Sequence, residues 1–149
     1  MVSHEIQLAV DPRLESRVDR EALRELAGRV LAAESVPTSE LGIVVTDDEQ
    51  VRKLNSRYAG EDKATDVLSF SLREGEAFVS PDATERLGEV IISLETAERQ
   101  ASEAGHPLTD EMAHLLVHGI LHLLGYDHAE PEEERVMRAR EDALLRTKH

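Results

Sequence analysis

The chain has 149 residues, no cysteine, and a net charge of −14 from 17 basic and 31 acidic residues. This length suits one domain with a substantial core, and the absence of cysteine excludes disulfides, thiolate metal ligands and a cysteine nucleophile. The acidic excess argues against binding nucleic acid by bulk attraction, so a nucleic-acid ligand would require a local positive site.

The sequence carries no targeting or membrane signal that we recognise. Its N-terminus lacks a basic segment followed by an apolar stretch. No run approaches the roughly 18 apolar residues of a membrane span. We therefore expect a soluble, cytoplasmic protein, with neither a membrane nor DNA among its partners.

The first segments predict a strand followed by a helix. Polar and apolar residues alternate over Glu5–Val10, the period-two pattern of a half-buried strand, and Asp11-Pro12 ends it. Apolar residues then recur at helical spacing over about 19–34, with acidic residues near the positive end of the helix dipole. This second pattern predicts an amphipathic helix.

A second strand and helix follow directly. The β-branched and apolar run Leu41–Thr46 predicts a strand. Thr46, with Glu49 three positions later, is typical of a capped helix start. We expect that helix over about 47–58, ending before Gly60.

The middle of the chain predicts two further strands around a loop. Residues 65–71 and 87–93 have strand character, whereas residues 73–86 mix glycine, serine and proline with charges and are typical of a surface loop. A helix over 94–105 follows, with Gly105 as its terminator.

Two helices complete the prediction. The inner face of residues 109–124 is almost wholly apolar, which indicates a buried central helix. The last helix spans about 131–145 and should pack through Val136, Met137, Leu144 and Leu145. The chain is thus predicted to be one α+β domain over 1–149, with a small mixed four-stranded sheet, about five helices and a metal site at the end of the central buried helix.

Three histidines at the end of that helix predict the metal site. His118 and His122 are four residues apart, so they share one helix face about 6 Å apart along the axis. Gly125 can end the helix in a left-handed conformation and let the chain bring His128 back toward the same point. A single histidine would more often be an ordinary surface or core residue, but three at this spacing favour a metal.

The ligand chemistry favours one Zn²⁺ per chain. Three neutral imidazoles without a thiolate suit this borderline-soft ion and leave one tetrahedral position open for water. Zinc can lower the pKa of that water to about 7, far below its value in bulk solvent, which is typical of a hydrolase.

The other catalytic groups are less defined, and no general base is identified. Asp127 could accept the free N–H of a ligand imidazole or simply cap the turn. Asp66 and Ser69 fall on opposite faces of a strand, so at most one of them can face the site. His114 extends the histidine stripe, and we interpret it as a residue at the core edge or behind the ligands, because a fourth ligand would close the site.

A group of cations could supply local positive charge for nucleic acid. These five residues lie between positions 51 and 73: Arg52, Lys53, Arg57, Lys63 and Arg73. An ordinary solvated surface of mixed charge explains them equally well.

Three segments resemble signatures of the YbeY family of bacterial endoribonucleases. The run from His118 to His128, HGILHLLGYDH, is similar to the family's zinc motif, and TDVLSF over 65–70 and LGEVII over 87–92 resemble two others. The resemblance extends from about Leu41 to the C-terminus.

That resemblance implies a zinc-dependent hydrolase that cuts single-stranded RNA, with His118, His122 and His128 as ligands. It further implies a role in maturing the 3′ end of small-subunit ribosomal RNA and in ribosome quality control. The partners it implies are ribosomal RNA, small-subunit components and an assembly GTPase.

Two positions depart from the family pattern. Ala59 stands where family members usually have arginine, the group best suited to bind phosphate oxygens in a fork, and Ala64 replaces a usual proline. We hypothesise that Arg57 or Lys63 supplies the missing charge from nearby.

Two other functions remain open. The domain could be a ribosome-assembly binding factor whose zinc is mainly structural. A metalloprotease is the weaker alternative, because Gly119 stands where His-Glu-x-x-His proteases carry their glutamate base.

Overall fold

The computed structural model describes residues 4–37, 39–59, 67–71, 85–126 and 130–146. Within these residues one sheet is formed by β1 (Glu5–Val10), β2 (Ser39–Thr46), β3 (Val67–Ser71) and β4 (Glu85–Ser93). The strand order is β1-β2-β4-β3, with β1, β2 and β4 parallel and β3 antiparallel to β4. The mixed four-stranded sheet expected from the sequence is confirmed.

Several helices pack against this sheet in the described part of the chain. They are a 3₁₀ helix (Pro12–Arg17), α1 (Arg20–Ala33), α2 (Asp48–Ala59), α3 (Leu94–Ala104), α4 (Leu108–Leu123) and α5 (Pro131–Arg146). The five α-helices match the predicted ones to within one or two residues. The short 3₁₀ helix was not predicted. None of the described helices is long and apolar enough to cross a membrane.

The central position of α4 is confirmed. It packs against β3, β4, α1, α3 and α5, and its buried side chains include Leu116, Val117, Ile120 and Leu121, all fully shielded from solvent. Because the core holds this helix on several sides, the side chains at its C-terminal end have a rigid support.

The start of β4 corrects one prediction. Residues up to 86 were expected to form a loop, but Glu85 and Arg86 already pair with Ser39 and Glu40 of β2. Backbone pairing does not require apolar side chains. A strand end made of polar residues therefore cannot be recognised from the hydrophobic pattern of the sequence. The remainder of the predicted loop lies outside the described residues.

Two smaller predictions were also wrong. Asp47, not Thr46, caps α2, because its Oδ1 accepts a hydrogen bond from the backbone N–H of Gln50 at 2.9 Å. Val136 was expected in the core but is 52% exposed, whereas Met137 beside it is buried. At this point of α5 the helical period turns Met137 inward and Val136 outward.

Candidate metal centre

His118 and His122 present their imidazoles on one side of α4. Their ring centroids are 6.3 Å apart and their planes differ by only 9°. His118 is half-buried and His122 is exposed. The prediction that this pair shares a face of the central helix is therefore confirmed.

A Schellman turn ends α4 directly after the pair. Gly125 has a φ of +105°, which favours glycine. Its N–H donates to the carbonyl of His122 at 3.1 Å, and the N–H of Tyr126 donates to the carbonyl of Leu121 at 3.0 Å. Gly125 thus ends the helix as predicted, whereas Asp127 and His128 lie outside the described residues.

The residue after this turn is tied to two other helices. The Tyr126 hydroxyl donates to Glu34 Oε1 at 2.6 Å, and Arg140 of α5 hydrogen-bonds to the other oxygen of Glu34. This hydrogen bond and burial raise the pKa of the Tyr126 phenol, which keeps it protonated as a donor. Glu34, the residue that ends α1, therefore anchors the chain two residues before His128.

A carboxylate of α5 lies directly behind His118. Glu141 Oε2 is 2.6 Å from His118 Nδ1, and Glu141 Oε1 is 3.3 Å from His114 Nε2. Burial raises the pKa of the Glu141 carboxyl, but the hydrogen bonds to both imidazoles outweigh that effect and lower the pKa to about 2. Glu141 is therefore ionised at neutral pH.

This contact defines which nitrogen of His118 can bind a metal. An ionised carboxylate only accepts hydrogen bonds, so Nδ1 must carry the proton at this distance. In a neutral imidazole the other nitrogen, Nε2, then carries the lone pair. The donor set of His118 and His122 therefore suits a borderline-soft metal ion such as zinc.

A cleft of about 450 Å³ opens beside these groups. Its walls come from α4 and α5 and carry His114, His118, Glu134, Arg138, Glu141 and Asp142. His114 is 48% exposed and shares the Glu141 carboxylate with His118, which fits its interpretation as a residue behind the ligands.

Strand β3 approaches α4 at the glycine between the two histidines. Ser69 Oγ donates to the carbonyl of Gly119 at 3.0 Å. A Cβ added to Gly119 would lie 2.6 Å from Val90 Cγ1, 3.2 Å from Val67 Cγ2 and 3.3 Å from Ser69 Oγ. Ser69 thus faces α4, whereas Asp66 lies outside the described residues.

The structure brings together only part of the predicted site. Among the described residues, no three histidine, aspartate or glutamate side chains form a metal-binding group, and the predicted third ligand is not one of those residues. Arg57 is exposed near the end of α2, whereas Lys63 and Arg73 lie outside the described residues.

Glu141 was not predicted from the sequence. A signal was present, because Met137, Glu141 and Leu144 recur at i, i+4 and i+7 on the buried face of α5. An acidic residue at an inward position of an apolar stripe indicates a buried partner.

Fold and site together define a small α+β protein that presents a carboxylate-supported histidine pair at the end of its central helix. The sequence profile of the family described as "Endoribonuclease YbeY" matches residues 9–149. The chain therefore belongs to the YbeY endoribonuclease family, as its motifs indicated.

Curated relatives of the same name support this assignment. Endoribonuclease YbeY of Dehalococcoides mccartyi (strain CBDB1) is 42% identical over 152 aligned positions, covering 95% of this chain and 92% of the relative. The Desulforamulus reducens protein is 51% identical over 110 residues, covering 73% of this chain and 72% of the relative.

A solved structure supports the fold. The solution structure of the Thermotoga maritima protein TM1509 superposes with a TM-score of 0.64 at 24% identity, covering 94% of this chain and 86% of that one.

Proposed function

We propose that this protein is a single-strand-specific metallo-endoribonuclease that acts in small-subunit ribosomal RNA 3′-end maturation and in ribosome quality control. Membership of an endoribonuclease family supports RNA as the substrate. The observation that carries the proposal is the stacked pair of His118 and His122, with the Glu141 carboxylate behind the first ring.

The proposed site holds one Zn²⁺ through His118, His122 and His128. When bound, zinc supplies an activated water for attack on a phosphodiester and stabilises the negative charge that develops on the phosphate oxygens. The protein's own groups fix the geometry. Glu141 orients His118, and the Glu34–Tyr126 hydrogen bond anchors the turn that leads to His128.

The positions of His118 and His122 at the protein surface would allow an extended RNA strand to reach them. His122 is exposed and His118 borders the open cleft between α4 and α5. By family resemblance, the proposed partners are ribosomal RNA, small-subunit components and an assembly GTPase, and the proposed location is the cytoplasm.

The test is cleavage of single-stranded RNA by purified wild type and by His118→Ala, with zinc content and folding measured on the same samples. We expect wild type to cut and His118→Ala to lose both zinc and cleavage. His106→Ala is the matched control, since His106 bonds to Glu111 near the opposite end of α4 at 2.6 Å. Equal cleavage by wild type and His118→Ala would instead favour a binding factor with a structural metal.

Arg57 is proposed to contact RNA phosphate in place of the arginine missing at position 59. A charge-assisted hydrogen bond contributes about 1.5–3 kcal/mol, so Arg57→Ala should lower kcat/KM for RNA by about 10- to 100-fold. Arg24→Ala is the control. It makes the same change in charge on α1, where Arg24 pairs with Glu21 at 3.0 Å. Full activity of Arg57→Ala would contradict this role, and full activity of the Arg57→Ala/Lys63→Ala double variant would also exclude Lys63 as the substitute.

A further inference from the structure

We propose that Glu141 is a positioning residue for the metal centre, which fixes the tautomer and orientation of His118 from the neighbouring helix. This inference rests on the proposed function, because it assumes that His118 is a metal ligand. It concerns a residue outside the HGILHLLGYDH run.

The location of Glu141 is unusual for a carboxylate. Only 5% of the residue is exposed, on a helix face that otherwise buries Met137 and Leu144. Burying an ionised group without partners is strongly unfavourable, so such groups persist where hydrogen bonds compensate them. Here the carboxylate bonds to two imidazoles of α4, those of His114 and His118.

The hydrogen bond to His118 has a chemical consequence at the far side of the ring. Because the carboxylate accepts at Nδ1, the lone pair is confined to Nε2. Ligand histidines in metalloproteins commonly donate their second N–H to a carboxylate in this way, which also increases their basicity. His118 is therefore held in its ligating tautomer by Glu141.

Packing makes this support rigid. Met137 and Leu144 flank Glu141 on α5 and are 1% and 4% exposed, so the helix is fixed against the core. The second carboxylate oxygen lies 3.3 Å from His114 Nε2, which restrains rotation of the carboxylate. The ordering of the His118 ring is therefore achieved in advance of metal binding.

Zinc affinity measured by chelator competition tests this role without any RNA. Removing such a supporting partner typically lowers metal affinity by 10- to 100-fold, so Glu141→Ala should weaken zinc binding by about 10- to 100-fold. Glu141→Gln keeps an oxygen acceptor of the same shape and should fall between Glu141→Ala and wild type. Glu132→Gln removes one negative charge at an exposed position of the same helix, outside the residues that line the cleft, and should leave affinity unchanged.

A proton NMR signal gives a second readout that a general loss of stability would not produce. In zinc-loaded wild type, the His118 Nδ1 proton should be downfield and protected from exchange with water. That protection should be lost in Glu141→Ala and retained in Glu132→Gln. If Glu141→Ala does not fold, intermediate affinity of the folded Glu141→Gln variant still supports the role.

Two failures are distinguishable. Wild type that binds no zinc would overturn the proposed function and this inference with it. Wild type that binds zinc, with equal affinity and equal proton protection in Glu141→Ala or Glu141→Gln, would overturn the role of Glu141 alone.

Discussion

Stripping the metal with a chelator is expected to reduce cleavage of single-stranded RNA by at least about 1000-fold, and added zinc should restore it. In the proposed mechanism zinc would supply both an activated water and charge stabilisation, together worth several kcal/mol, and each 1.4 kcal/mol changes a rate about tenfold. Cleavage rates before chelation, after chelation and after zinc addition are the measurement.

The control for chelation is the His118→Ala variant carried through the same steps. Added zinc should restore cleavage in wild type and leave the variant inactive, because the variant lacks one of the three proposed imidazole ligands. Circular dichroism of the stripped wild type checks that its secondary structure is intact. Cleavage that persists in verified zinc-free protein would contradict a metal-dependent mechanism.

The fold was predictable because its elements have strong local patterns. The alternation over Glu5–Val10 gave β1 at its observed bounds, and the apolar face of residues 109–124 identified α4 as the central helix. The misplaced start of β4 arose where tertiary pairing overrides local pattern. Polar Glu85 and Arg86 belong to β4 because β2 lies beside them, which no local pattern reveals.

The candidate site was only partly predictable for a related reason. His118, His122 and Gly125 lie within one short run, so helical geometry relates them directly. Glu141 is 23 residues from His118, and the Glu34–Tyr126 hydrogen bond spans 92 residues. Such contacts depend on how helices pack, and the sequence offered only indirect signals of them.

Gly119 connects the packing of the sheet to the chemistry of the site. It lies between the two histidines, at the position where His-Glu-x-x-His proteases carry a glutamate. A Cβ there would lie 2.6 Å from Val90 Cγ1, and Val90 is fully buried on β4. The close approach of helix and sheet therefore leaves no room for an in-helix base, which argues against the protease alternative.

Gly119→Ala is accordingly expected to lower the free energy of unfolding by about 1–2 kcal/mol. Helix propensity alone favours alanine by about 0.8–1.0 kcal/mol, but overpacking a well-packed core typically costs about 1–3 kcal/mol. We expect the overpacking cost to lie in the upper part of its range, because Val90 is β-branched and has little rotamer freedom. This cost should therefore exceed the gain from helix propensity. Denaturant unfolding followed by circular dichroism measures the change.

Gly28→Ala is the matched control, since it makes the same substitution within α1. Among the described residues, the added Cβ would lie within 4 Å of Ile6 Cδ1 alone, at 3.9 Å, which is an ordinary contact. This variant should gain about 0.5–1 kcal/mol from helix propensity, so the two substitutions should have opposite signs. In the Gly119→Ala/Val90→Ala double variant the clash is relieved, so its loss should be smaller than the sum of the two single losses. Strict additivity, or stabilisation by Gly119→Ala, would contradict a steric reason for this glycine.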